Sequence, residues 1–128
     1  MYNKKVIQHF SHPKFFGKIK NPDVIGTAGN PRCGDLLTLY LKVDGPPAGG
    51  KKIKDIKFET LGCAAAIAAS DMICELAKGK TLEQALNLSF QDVSSALGVL
   101  PSLKIHCAQL VTEALRDAIG KYKGKMVK

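Results

Sequence analysis

The chain has 128 residues, of which 45% are hydrophobic and 23% charged, and this size fits one globular domain over residues 1–128. It has no apolar run near the ~20 residues that a membrane span needs and no signal peptide, so we expect a cytoplasmic protein without a membrane partner. The formal charge is +8, but the lysines are scattered and not interleaved with aromatic residues, which argues against nucleic-acid binding.

The first predicted element is a short N-terminal helix with Val6, Ile7 and Phe10 on its apolar face. Turn-forming glycines, prolines and asparagines follow between Lys20 and Arg32. This composition predicts a long loop that delivers Cys33 to the start of a strand.

Two strands are predicted next. Apolar residues alternate with mostly polar ones from Leu37 to Val43, the period of a half-buried strand. The second strand, from Ile53 to Thr60, is expected to place Lys54, Ile56 and Phe58 on one side. An antiparallel hairpin is the simplest way to pair them.

The second half of the chain predicts helices only. An apolar stripe at helical spacing follows Cys63 and consists of Ala65, Ala69, Met72, Ile73 and Leu76. Gly79 is expected to stop this helix, and two capping boxes open short helices, namely Thr81 with Gln84 and Ser89 with Asp92. The last helix begins near His106. The order predicts an α+β fold, a small antiparallel sheet of about three strands with helices packed on one face and flexible ends at residues 1–2 and 123–128.

Three separated cysteines lie at the ends of predicted elements. Each is next to a glycine or a second potential ligand. Cys33 precedes a strand, whereas Cys63 and Cys107 lie near helix N-termini, whose partial positive charge favours a thiolate. Asp35 and His106 add an oxygen and a nitrogen donor. Glycines leave space beside two of the cysteines, at Gly34 and Gly62. Three thiolates with one Asp or His suit Zn²⁺ or an iron–sulfur cluster.

The fourth cysteine and two histidines are not expected to join this site. Cys74 lies eleven residues beyond Cys63, which is roughly 16 Å along a helix, so we interpret it as a core or surface residue. His9 and His12 have no cysteine nearby and are interpreted as surface or capping residues.

Several collinear segments carry a resemblance to a known family. They are Gly29–Asp35, Phe58–Ala68, Lys78–Glu83 and Leu100–Cys107. These segments, in a match from about Tyr2 to Tyr122, resemble the IscU/NifU N-terminal family of iron–sulfur cluster assembly scaffolds.

The resemblance implies a function. Such scaffolds take sulfur from a cysteine desulfurase of the IscS/NifS type and iron from an iron donor. They build a [2Fe–2S] cluster and pass it to apo iron–sulfur proteins, without turnover of a small-molecule substrate as in an enzyme. The family also binds Zn²⁺ in the apo site. Whether the cluster lies in a monomer or within a homo-oligomer stays open.

The resemblance also implies roles for individual residues. Its ligands would be Cys33, Cys63 and Cys107, with either Asp35 or His106 completing the set. The Asp is associated with an easily lost cluster, which fits the weak affinity of a hard carboxylate for a thiophilic centre.

Sulfur transfer needs an accessible thiolate, for which Cys107 is the first choice and Cys33 the second. Lys104 would be a charge partner at the site. The family's Leu-Pro-Pro-x-Lys segment for an Hsp70-type chaperone has Ser102 in place of the second proline. This departure weakens the case for dependence on that chaperone.

Two other classes of protein are weighed against the scaffold. A zinc-dependent, SufU-like sulfur acceptor shares three cysteines and an Asp, but it typically has an insertion before the third cysteine and lacks the histidine that His106 supplies here. A Cys/His/Asp hydrolase would leave two matched cysteines without a role. Both differences favour the scaffold.

Overall fold

The computed structural model describes residues 4–30, 35–45, 51–60, 64–98 and 105–126, without the side chains of residues 30, 35, 64–65, 105–108 and 124–126. In chain order the described elements are α1 (Lys4–Ser11), β1 (Val24–Asn30), β2 (Asp35–Asp44), β3 (Lys52–Thr60), α2 (Ala64–Ala77), α3 (Leu82–Leu86), α4 (Phe90–Leu97) and α5 (Ile105–Met126).

The three strands form one antiparallel sheet in the order β1-β2-β3. The alternation along β2 buries Leu37, Leu39 and Leu41, whereas Leu36, which precedes them, is exposed. The hairpin of β2 with β3 and the small antiparallel sheet are therefore confirmed.

The prediction of a long loop from Lys20 to Arg32 was wrong, because β1 lies within it. Glycine and asparagine at Gly26, Gly29 and Asn30 suggested turns. The strand forms nonetheless because β2 supplies a complete antiparallel partner for its main chain. Tertiary pairing thus overrides the local preference.

The prediction for the faces of β3 was wrong at one position. Lys42 pairs with Asp55 but Val43 pairs with Ile53, so Lys54 is the extra residue of a bulge. Ile53 is buried in its place and Lys54 is exposed. Ile56 and Phe58 face the core as expected.

The helix signals in the second half of the chain are confirmed. Both capping boxes are formed, since Thr81 and Ser89 accept hydrogen bonds from the main-chain N–H groups of Gln84 and Asp92. Gly98 caps α4 with a φ of 87°, and α2 ends at Ala77, before Gly79 with a φ of 85°. None of the described helices is long and apolar enough to cross a membrane.

The helices cover one face of the sheet, with α5 against β1 and β2 and α2 against β3. The helix α1 packs on α2 and buries Val6. Ile7 and Phe10, predicted to share its apolar face, are 51% and 43% exposed. Because α1 is short and has one main neighbour, only one of its three apolar side chains reaches the core.

Candidate metal centre

The strand ends that flank the candidate ligands lie together at one edge of the sheet. Asn30, the last residue of β1, pairs with Asp35, the first residue of β2. Leu37 pairs with Thr60, the last residue of β3. We call this end of the sheet the ligand edge.

Two connecting segments leave the sheet at the ligand edge. Residues 31–34, which include Cys33, connect β1 to β2, and residues 61–63, which include Cys63, connect β3 to α2. The first segment leads into the start of β2 and the second leaves the end of β3, which is paired with β2, so the two cysteines belong to segments that meet the sheet at neighbouring strand ends.

The helix α2 runs away from the ligand edge. Just after α2, the Gly79 N–H donates to the Ile53 carbonyl at 2.9 Å, and the Ile53 N–H donates to the Lys80 carbonyl at 2.9 Å. Ile53 lies near the start of β3, at the opposite end of the sheet. The N-terminus of α2 is therefore the end that faces the ligand edge.

The helix α5, like α2, runs away from the ligand edge. Its C-terminal part is held by an ion pair between Lys123 and Glu83 of α3. The residue before α3, Thr81, bridges to Lys52 at the start of β3, opposite the ligand edge. The N-terminus of α5 therefore points back toward the ligand edge.

The length of α5 brings its start level with the end of β1. Gly26 of β1 lies against α5 between Ala114 and Ala118. Cys107 is about nine residues before the middle of this contact, which is roughly 13 Å along a helix. Asn30 is four residues beyond Gly26, also about 13 Å along a strand. Cys107 and the neighbouring His106 therefore start α5 near the ligand edge.

Two helix N-termini thus direct partial positive charge at this edge. Neither α2 nor α5 has an acidic residue in its first turn, so no helix carboxylate competes for that charge. A thiolate at Cys63 or Cys107 would gain from it. The electrostatics favour anionic sulfur ligands over neutral thiols.

A cavity of about 330 Å³ opens at the ligand edge and is lined by Phe16, Leu36, Thr38, Glu59 and Thr60. Phe16 and Leu36 are 49% and 41% exposed, so its wall is partly apolar. Glu59 accepts a hydrogen bond from the Tyr40 hydroxyl at 2.6 Å, which raises the pKa of Tyr40 to about 12. The carboxylate of Glu59 is therefore already engaged.

The ligand set itself stays a prediction. Only the backbone is described for Asp35, His106 and Cys107, while Cys33, Gly34, Gly62, Cys63, Lys104 and the chaperone-type segment with Ser102 lie outside the described residues. Among the side chains that are described, no three His, Cys, Asp or Glu residues are placed to hold a metal ion.

Cys74 is a core residue, one of the two placements predicted for it. It is fully buried in the core, and burial raises the pKa of its thiol well above the ordinary value. A thiol in this state is a poor nucleophile and a poor metal ligand.

Sequence reasoning missed the role of His9. Its imidazole lies against the buried carboxylate of Asp71 rather than at the surface, whereas His12 is exposed. An aspartate within the alanine-rich α2 was the available signal, because a charged residue on a buried helix requires a partner.

Comparison with known proteins agrees with the family resemblance seen in the sequence. The family model described as NifU-like N terminal domain matches residues 1–128. Two iron–sulfur cluster assembly scaffold proteins IscU from Archaeoglobus fulgidus are each 52% identical over 95% of this chain and 76% of their own length. An iron–sulfur cluster assembly enzyme IscU from Drosophila melanogaster is 37% identical over 100% of this chain and 82% of its own length.

A solved structure is also similar. It is described as an iron–sulfur cluster assembly scaffold protein for the SUF system from Fervidobacterium islandicum AW-1. The TM-score is 0.73 and the identity 26%, over 92% of this chain and 96% of that chain.

Proposed function

This chain belongs to the NifU-like N-terminal domain family, and we propose that it is a scaffold on which iron–sulfur clusters are assembled and from which they are transferred. The observation that supports this most directly is the meeting of element ends at the ligand edge. They are the paired ends of β1 and β2, the end of β3 and the start of α5.

The proposed ligands are the three cysteines, Cys33, Cys63 and Cys107, with Asp35 or His106 as the fourth. The helix N-termini at the ligand edge would stabilise the thiolates. A carboxylate or imidazole in the fourth position would hold the cluster less firmly than a fourth thiolate. Release to an acceptor requires such a labile site.

The cluster is the cargo of this protein, and its raw materials come from partners. We propose a cysteine desulfurase as the sulfur donor, an iron donor, and apo iron–sulfur proteins as acceptors. Cys107 is the preferred acceptor of sulfane sulfur and Cys33 the second choice. The amount of sulfur that each chain takes up would match the cluster it builds. The chain would not turn over a small-molecule substrate.

Anaerobic reconstitution with iron, cysteine and a desulfurase tests the proposal. We expect the visible and Mössbauer spectra of a [2Fe–2S] cluster that moves to an apo-ferredoxin. The variant Cys63→Ser should form no stable cluster, whereas Cys74→Ala, the matched control, should retain both spectrum and transfer. A normal cluster in Cys63→Ser would refute the ligand assignment.

A zinc-dependent, SufU-like sulfur acceptor is the second candidate function, because one of the similar solved structures is described as a scaffold protein for the SUF system. It predicts one tightly held Zn²⁺ per chain and faster desulfurase turnover, with no transferable cluster. The same reconstitution distinguishes the two functions.

A further inference from the structure

The buried carboxylate of Asp71 holds the N-terminal segment of the chain. Asp71 lies on α2 and is 1% exposed. The His9 Nδ1–H donates to its Oδ2 at 2.5 Å, and the Phe15 main-chain N–H donates to its Oδ1 at 2.9 Å. A buried carboxylate without hydrogen-bond partners costs folding free energy. The hydrogen bonds from His9 and Phe15 to Asp71 are therefore favoured, and they fix the path of the chain from residue 9 to residue 15.

The residues that follow form an isolated parallel β-bridge with β3, between Phe16 and Phe58. The Phe58 N–H donates to the Phe15 carbonyl at 2.9 Å, and the Gly17 N–H donates to the Phe58 carbonyl at 2.8 Å. The rings of Phe16 and Phe58 pack edge to face with centroids 5.4 Å apart. This contact lies two residues before β3 ends at Thr60.

One segment therefore joins the two elements on either side of residues 61–63. It is tied to β3 through main-chain bonds at Phe58 and to α2 through Asp71, about 10 Å from the start of that helix. We call these contacts of His9, Phe15 and Phe58 with their partners the N-terminal clamp.

We infer that Asp71 is a positioning residue for Cys63, acting through the N-terminal clamp. The clamp fixes the distance between the end of β3 and the start of α2, the two elements that flank Cys63 in the chain. This inference rests on the proposed function, since it gives the position of Cys63 its significance. Opening of the clamp should make a bound cluster leave faster.

Two substitutions separate the contacts of Asp71 from its charge. Asp71→Leu is close in size but offers no acceptor to His9 or to the Phe15 N–H. Asp71→Asn restores both contacts without the charge, because its amide oxygen accepts from Phe15 and its amide group donates to unprotonated His9 Nδ1. The matched control is Leu82→Ala, which removes buried volume from α3, a helix that packs on α5.

Hydrogen exchange of the apo-protein, followed by mass spectrometry, gives a readout that needs no cluster. We expect exchange of residues 58–68 to be at least tenfold faster in Asp71→Leu than in the wild type. Exchange in Asp71→Asn should lie within twofold of the wild type. In Leu82→Ala the exchange of residues 58–68 should be no faster than in the wild type, although the melting temperature of this variant should fall.

Cluster lifetime is the second readout. The first-order rate of cluster loss should rise at least threefold in Asp71→Leu and stay unchanged in Asp71→Asn and Leu82→Ala. Equal rates in Asp71→Leu and Leu82→Ala would overturn the inference, as would faster exchange with an unchanged cluster lifetime.

The two proposals fail in different ways. If the wild type builds no transferable cluster, the proposed function fails, while the exchange experiment still decides whether the clamp exists. If Asp71→Leu does not fold, His9→Ala tests the same contacts, and exchange of residues 58–68 no faster than in the wild type would overturn the inference.

Discussion

Substitution of Gly26 by alanine tests the close packing of β1 on α5. A Cβ at this position would lie 2.5 Å from the Ala114 carbonyl oxygen, 2.5 Å from the Ala118 Cβ and 2.6 Å from the Ala118 nitrogen. Ordinary contacts between such atoms are about 3.5 Å or longer. The helix would have to move away from the strand by about 1 Å, since two of the three atoms belong to its backbone.

The expected cost follows from two opposing effects. Forcing an extra methyl group into a packed core costs about 1–3 kcal/mol. Alanine also restricts the unfolded chain, which offsets about 0.4–1 kcal/mol. We therefore expect Gly26→Ala to lower the free energy of unfolding by about 1–2 kcal/mol and the melting temperature by roughly 5–10 °C.

Gly120→Ala is the matched control for Gly26→Ala. Gly120 lies on the same helix, but a Cβ there would meet nothing within 4 Å. Alanine should stabilise this exposed helical position by about 0.5–1 kcal/mol. Urea unfolding with both melting temperatures measures the pair. If Gly26→Ala is as stable as the wild type, or if both variants shift in the same direction, the packing argument is wrong.

Three further predictions concern the cluster, a helix cap and acid stability. Asp35→Ala should slow cluster loss, with Asp44→Ala at the other end of β2 as the control, and equal transfer rates to apo-ferredoxin would contradict it. Ser89→Ala should cost about 1 kcal/mol in urea unfolding through loss of the α4 cap, whereas Ser95→Ala within the same helix should cost nothing. A β1 N–H and a lysine lower the pKa of Asp117, so its stabilisation is present above the unfolded pKa of about 3.9 and is lost as pH falls through the lower folded value. Stability measured between pH 6 and pH 3 should therefore fall more in the wild type than in Asp117→Asn.

The elements that the sequence predicts well are those with local causes. The capping boxes at Thr81 and Ser89 are short-range patterns, and the structure forms both. The alternation in β2 is equally local. Each signal is complete within a few residues, so the rest of the fold cannot easily overrule it.

The features that the sequence predicts poorly depend on residues far away in the chain. Gly26 suggests a turn when read alone, but its small size is required by α5, almost 90 residues later in the chain. The bulge at Lys54 arises from pairing with β2. Asp71 finds its partners in the N-terminal segment. None of these causes is visible in a short window of sequence.

The candidate site could be predicted in part from the sequence. The order of elements predicts that Cys33, Cys63 and Cys107 lie at element ends, and the strand register and helix directions bring those ends to one edge. The choice of the fourth ligand depends on side-chain geometry at Asp35 and His106. Spacing along the chain gives both residues equal access, so ligand substitution has to decide between them.

The burial of Cys74 has a consequence for chemical selectivity. A protein that accepts sulfane sulfur is exposed to polysulfides and to oxidants, and every accessible thiol competes for them. Cys74 lies in the core with a raised pKa, so it presents neither a thiolate nor a surface to these reagents. Under the proposed function, sulfur delivered by a desulfurase would thereby be kept from Cys74, where it would form a dead-end product instead of a cluster.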